Sequence, residues 1–352
     1  MDTIDIRNIR LYNQQLINSE LQTPHDVVSY MGAMQSQAFD MAKWGIGLRL
    51  NGATNKQVEK AFNSGEIVRT HILRPTWHFV AAADIHWMFD LSAPRIKPTF
   101  VNYSGTVGLD EDLVLKSFRI VEKVLRDENH LTREELGAVF EAEGIIADSR
   151  LVGLFLSRAE VEGLVCSGRQ KGNKQTYALL HEWVPKKQQL AKEEALEKLT
   201  RKFFTSHGPA TLQDYVWWSG LLTSDARKGI DLIKHDFICE KINSREFWFK
   251  PDIQLPEVKN ESALLLPAFD EFIVSYKDRS DILAEKDLRK IITRTGIFAP
   301  ALSYNGEIIG SWKKIKKGGR NEVELTFFDK TSKAIQNLFK EVSKEYISFL
   351  EK

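Results

Sequence analysis

Apolar residues recur at helical spacing along most of the chain, and short extended stretches interrupt them at intervals. Ile6, Ile9, Tyr12 and Leu16 form a first stripe. Thr23 and Pro24 then read as N-cap and first helical residue of a helix through Val27, Val28 and Met31. A third helix is expected over residues 41–50, and Thr54 leads into Val58 and Phe62. Residues 66–80 are β-branched and aromatic, with Pro75 marking a hairpin tip.

The order repeats. Leu113, Phe118, Val121 and Leu125 make a stripe. Thr132 with Glu135 has the spacing of a capping box, and Ser149 is expected to cap the next helix, through Leu151, Leu154 and Val161. Residues 164–180 read as a hairpin around Gly172-Asn173. A third pass gives helices over 190–204, 212–218 (ended by Gly220) and 223–233, then strand-like residues 238–250. The tail offers an apolar strand at 263–266, further strand-like residues at 297–309 and an amphipathic helix over 331–350.

Three helices followed by a hairpin is the winged-helix plan, in which the second and third helices form a helix-turn-helix. The expected fold is therefore α+β and mainly helical, built from three tandem winged-helix units plus a β-rich C-terminal part. The expected boundaries are 1–108, 109–188, 189–255 and 256–352. A chain of 352 residues fits two or three domains at about 150 residues each.

Composition narrows the function. The 49 basic and 48 acidic residues nearly cancel, which excludes a uniformly basic surface but not a local basic face. Two cysteines, Cys166 and Cys239, in no C-x-x-C pattern argue against a thiolate zinc site or disulfide scaffold and fit a reducing cytoplasm. No apolar run approaches the roughly 20 residues of a membrane span, and the first residues show no signal peptide. The phosphate-binding, zincin and nucleophile-elbow motifs are absent, so nucleotide-driven, zincin and α/β-hydrolase chemistries are not expected.

Five segments carry polar chemistry. Gln35-Ser36-Gln37 places two non-titrating amides where a helix end would let them converge on a water; the plain alternative is a solvated helix end. Residues 69–79 gather Arg69, His71, Arg74, Thr76, Trp77 and His78 in one hairpin suited to a DNA groove. The alternative for Trp77 and one histidine is core packing. Residues 168–174, with Arg169, Lys171 and Lys174, and residues 313–320 hold cations without an acid and suit phosphate contact. Asp270 and Glu271 follow a buried-looking strand, where neighbours face opposite ways, so they orient an Arg or cap a helix rather than form an acid pair. Thr211 with Asp214 reads as a helix cap.

Four strings, MQSQAFD at 34–40, RTHILRPTWHFV at 69–80, HGPATLQDYVWWSGL at 207–221 and LLPAFDEFIVSYKDRS at 265–280, together resemble the AlkZ- and YcaQ-like family of winged-helix DNA glycosylases over roughly residues 5–350. The resemblance implies three winged helices in a C-shape around duplex DNA, with a Gln-x-Gln catalytic element matched by Gln35 and Gln37. The YcaQ-like branch has Asp at the second position, so the chain looks AlkZ-like. The resemblance also implies DNA-facing Arg74, Thr76 and His78; Arg69, Trp77, Arg169, Lys171 and Lys174 are expected at the DNA from the hairpin and loop readings above. The implied activity is monofunctional hydrolysis of the N-glycosidic bond of purines alkylated at N7 or N3, bulky or cross-linked adducts included, in duplex DNA. Three DNA-gripping units in one chain lead to the expectation of a monomer, located in the cytoplasm at the nucleoid, with no metal or cofactor. Open beside it are a non-catalytic winged-helix regulator and a protein-interaction scaffold.

Overall fold

The computed structural model describes residues 3–185, 189–251 and 261–351. The expected boundary at 255/256 falls outside the described residues, and the one at 188/189 falls at their edge. In chain order the elements are α1 (Thr3–Asn13), α2 (Pro24–Met31), β1 (Ala33–Gln35), α3 (Phe39–Gly47), α4 (Asn55–Asn63), β2 (Ile67–His71), β3 (Trp77–Ala81), α5 (Ile85–Thr106) and α6 (Glu111–Leu125). Next come β4 (Leu131–Thr132), α7 (Arg133–Ala142), α8 (Ser149–Val161), β5 (Val165–Lys171), β6 (Lys174–Leu179) and α9 (Leu180–Trp183). The rest are α10 (Lys192–His207), α11 (Leu212–Ser219), α12 (Thr223–Ile233), β7 (Ile238–Ile242), β8 (Arg245–Phe249), β9 (Ala263–Leu266), α13 (Glu271–Val274), α14 (Leu288–Ile291), β10 (Ala301–Tyr304), β11 (Glu307–Lys317), β12 (Arg320–Phe327) and α15 (Lys333–Glu351). The protein is thus α+β with antiparallel sheets.

These elements form two compact units. One holds residues 1–59, 196–218 and 222–352, the other residues 60–195 and 219–221.

In the first unit, β9 to β12 make an antiparallel sheet in the order β12-β11-β10-β9. The sheet and α15 close over α3 through aromatic contacts. Trp44 meets Tyr346 and Phe349 at centroid distances of 5.2 Å each, and Tyr346 meets Trp312 at 4.8 Å. Gly47 is needed here because a Cβ would come within 2.5 Å of the Phe349 ring. The long β11–β12 ribbon turns at Gly318 and Gly319, both at positive φ, so the basic residues at 313–320 lie mostly on the strand ends flanking that turn.

In the second unit the strands run β3-β2-β5-β6-β4, all antiparallel. A core of Val121, Leu136, Phe140, Phe155, Leu156 and their neighbours joins α6, α7 and α8. The Thr132/Glu135 capping box opens α7 as the spacing requires. At α8 the cap is Asp148, whose carboxylate accepts the Leu151 N–H at 2.8 Å, and Ser149 is the first helical residue. The charged acceptor one position earlier outcompetes the hydroxyl. The 22-residue α5 has no counterpart in the sequence reading, because Pro94 and Pro98 inside it break the pattern that announces a helix.

Candidate active site

The first unit builds a polar centre from the strand at 263–266 onward. Two indoles hold β9: Trp44 Nε1–H donates to the Leu265 carbonyl at 2.7 Å, and Trp312 Nε1–H to that of Leu266 at 2.8 Å. The chain then turns through Phe269, at φ +61°, and presents two successive acids in different directions. Asp270 caps α13 by accepting the Phe272 N–H at 2.9 Å and binds Arg49 with both oxygens at 2.9 Å. Arg49 is fully buried and spends its remaining donors on the carbonyls of Gln14 and Gly45 and on Gln14 Oε1. All five guanidinium N–H groups are thereby matched.

Glu271 points elsewhere and is 1 % exposed. Its Oε1 accepts the backbone N–H of Gln35 at 2.6 Å. Its Oε2 accepts the Trp218 indole N–H at 3.1 Å and the Ser275 hydroxyl at 2.5 Å, with His207 Nε2 3.6 Å away. Burial works against the charge, but the His207 ring, the Ser275 hydroxyl and the Gln35 N–H outweigh it and hold the carboxyl at about 2. Burial pushes the His207 imidazole down, and its Nδ1 is 2.8 Å from Ser206 Oγ.

Gln35 therefore stands at the end of a strand, where a helix end was expected. Helix α2 stops at Met31 because Gly32 takes φ +81°. The Gln-x-Gln residues follow β1 into the loop before α3. Gln35 is buried and Gln37 exposed. Met34, Gln35, Pro267, Asp270 and Glu271 line one small cleft together with Gly45.

The second unit contains the histidine- and arginine-bearing hairpin. Both strands exist as read, with Thr70 opposite His78 and His71 opposite Trp77. Much of its chemistry faces inward, however. β2 is flanked by β3 and β5, and all five of its residues are buried. Arg69 is buried, with its guanidinium over the Trp77 ring at 4.7 Å and 3.3 Å from Ser167 Oγ. Burial lowers its pKa to about 10, against the pull of Glu160. Glu160, 1 % exposed, is the acceptor beneath the hairpin: His71 Nδ1 is 2.5 Å away, and the Trp77 indole N–H reaches both its oxygens. His78 is buried, Nδ1 3.0 Å from the Thr76 carbonyl. Arg74, Thr76 and Trp77 are partly exposed at the tip. Sequence reasoning gave no role to Glu160, which sits unannounced in an amphipathic helix.

At the hairpin of β5 and β6, Arg169, Lys171 and Lys174 are exposed. The strand pair bears no acid, but α7 brings two. Lys171 contacts both oxygens of Glu135 at 3.0 Å, and Lys174 is 3.8 Å from Glu134. Arg169 donates from Nε to the Asn63 carbonyl at 3.2 Å and lies 5.4 Å from the Trp183 ring centroid. Among the described residues no group of three or more His, Cys, Asp or Glu is arranged to hold a metal ion. No described helix is long and apolar enough to cross a membrane.

Comparison with known proteins places this geometry in context. The chain is 21 % identical to an interstrand DNA cross-link repair glycosylase of Streptomyces sahachiroi, over 92 % of this chain and 90 % of that protein. Its fold matches the solved structure of the Streptomyces sahachiroi DNA glycosylase AlkZ with a TM-score of 0.80, at 18 % identity, covering 99 % of this chain and 97 % of that one. The family model described as DNA glycosylase AlkZ-like matches residues 28–350. The chain belongs to the AlkZ-like DNA glycosylase family, enzymes that act on DNA as hydrolases.

Proposed function

We propose that the protein is a monofunctional DNA glycosylase that hydrolyses the N-glycosidic bond of N7- or N3-alkylated purines in duplex DNA, bulky and cross-linked adducts included. The cross-link activity in the name of the Streptomyces relative supports the last clause. The observation that carries the reading is the Gln35-Ser36-Gln37 segment, held at Gln35 by a buried carboxylate. A purine alkylated at N7 or N3 is already cationic and leaves without a general acid. What remains is to hold a water at C1′ and to stabilise the oxocarbenium-like sugar, which two amide carbonyls do through position and dipole.

DNA is held, in this reading, by three tandem winged-helix units within one monomer. Arg74, Thr76 and Trp77 make contact from the first hairpin, and Arg169, Lys171 and Lys174 from the second. Arg69 and His78, being buried, support the first hairpin from beneath.

The test is base release from duplex DNA carrying N7-alkylguanine, comparing the wild type with Gln35→Ala, Gln37→Ala and the double variant. Loss of release in the double variant is expected, and undiminished release would overturn the mechanism. No release of any alkylated base by the wild type would leave a DNA-binding regulator.

A further inference from the structure

We propose that Glu271 is the positioning residue for Gln35, setting the place of the catalytic amide by gripping its backbone N–H. The inference rests on the reading that Gln35 is catalytic. A buried N–H must find an acceptor, and that acceptor is ordinarily another backbone group. Here it is a side chain 236 residues further along the sequence, at 2.6 Å. The carboxylate has no freedom of its own. Trp218 and Ser275 hold its other oxygen, and His207 lies beyond them.

Filling this space does not require a charge. An apolar side chain of similar volume avoids the cost of desolvating a carboxylate. What an apolar group cannot do is accept the Gln35 N–H along a defined direction. The neighbouring acid adds a second anchor. Asp270 binds Arg49, just past the end of α3, so two consecutive residues clamp the segment that carries Gln35 and Gln37 near both of its ends. Catalytic groups need to be held to roughly 0.5 Å, and a misplacement of about 1 Å costs about a hundredfold in rate.

The experiment measures single-turnover base release from N7-alkylguanine duplex and, separately, affinity for the same duplex without the lesion. Glu271→Met, which keeps the length of the side chain but removes the acceptor, is expected to lower the release rate ten- to a hundredfold while affinity stays within about twofold. In a Gln35→Ala background the same change is expected to cost nothing further, because Glu271 acts through Gln35. Asp281→Asn alters another buried carboxylate, bound to Arg245 and near Arg10, and is the comparison for a merely structural loss.

An unchanged rate in Glu271→Met, with Gln35→Ala inactive, overturns the proposal. So does a loss that Asp281→Asn reproduces, or one that appears equally in affinity. Full activity in Gln35→Ala instead overturns the reading beneath it. Should Glu271→Met fail to fold, Ser275→Ala keeps the carboxylate and removes one of its donors. It is expected to slow release several-fold at unchanged affinity, and an unaltered rate there overturns the proposal.

Discussion

Replacing Asp270 with alanine is expected to be among the most destabilising single changes in the first unit. Asp270 and Arg49 are both fully buried, and two hydrogen bonds of 2.9 Å join them. Removing the carboxylate leaves two guanidinium donors and a whole positive charge without an acceptor. Breaking a buried pair from one side costs about 3–5 kcal/mol. The same oxygen that receives Arg49 Nη2 also caps α13 through the Phe272 N–H, a contact worth about 1 kcal/mol that overlaps with the first figure rather than adding to it. For a unit of this size, each kcal/mol moves the melting midpoint by about 2–4 °C, so Asp270→Ala should melt about 6–20 °C lower.

Tryptophan fluorescence is a suitable probe, since Trp44 and Trp218 both belong to this unit. The double change Asp270→Leu with Arg49→Met supplies the control. It removes both charges together and should recover much of the loss, as apolar replacements of buried pairs do. A shift below about 3 °C in Asp270→Ala, or a double variant as unstable as the single, would refute the account of the pair as mutually dependent.

Other outcomes follow from the same geometry. Base release should be flat across neutral pH, because the proposed catalytic amides do not titrate; a unit slope in log rate between about pH 6 and 8 would point to a titrating group instead. Stability should fall on acidification in two stages. His207 has a folded pKa below its ordinary 6.5, so the unfolded chain gains its proton first and stability starts to drop beneath that value. Glu271, held at about 2 against 4.5, contributes stability that is present above 4.5 and lost as pH falls toward 2; melting midpoints against pH for the wild type and His207→Asn would separate the stages. Glu160→Ala strands His71 and the Trp77 indole and should cost about 2–4 kcal/mol in the second unit, checked by denaturant unfolding. Finally, Lys171→Ala should weaken duplex binding across sequences and reduce the salt-dependence slope by about 1, measured by titration at several salt concentrations.

What could be read from sequence divides along physical lines. Local signals carried through. The Thr23 cap, the Thr132 capping box, the Thr211/Asp214 cap, the Pro75 hairpin and the strand at 263–266 each depend on residues a few positions apart. Asp270 does both things its position suggested, capping a helix and binding an arginine. The rest depends on partners far along the chain. Gln35 is held from residue 271, and no pattern around Gln35 encodes that. Arg69 and His78 look like surface chemistry in a hairpin string, yet β2 acquires neighbours on both sides, which buries Arg69, and His78 is buried on β3 beside it. Such burial comes from tertiary pairing, which alternation within one strand does not reveal.

The basic hairpins β5–β6 and β11–β12 show how three-dimensional pairing alters a charge argument. Along the sequence, residues 168–174 hold three cations and no acid, which suggests a strong attraction for phosphate. In the fold, Lys171 meets Glu135 and Lys174 faces Glu134, so the local field is far closer to neutral than the string implies. Lys313 is likewise paired, with Glu324 at 2.7 Å. Glu135 is already committed. Its side chain accepts the Thr132 N–H at the start of α7, and that bond, more than Lys171, keeps its carboxyl below the usual range. It therefore loses little when Lys171 turns to a phosphate, since the cap remains in place. An exposed pair of this kind is worth at most about 1 kcal/mol, so exchanging one anionic partner for another costs little and gains little. If, as proposed, these residues face DNA, a surface made of such pairs grips weakly at any one point and releases readily. That is consistent with a net charge of +1 and with an enzyme that must pass over much intact duplex before it meets a damaged base.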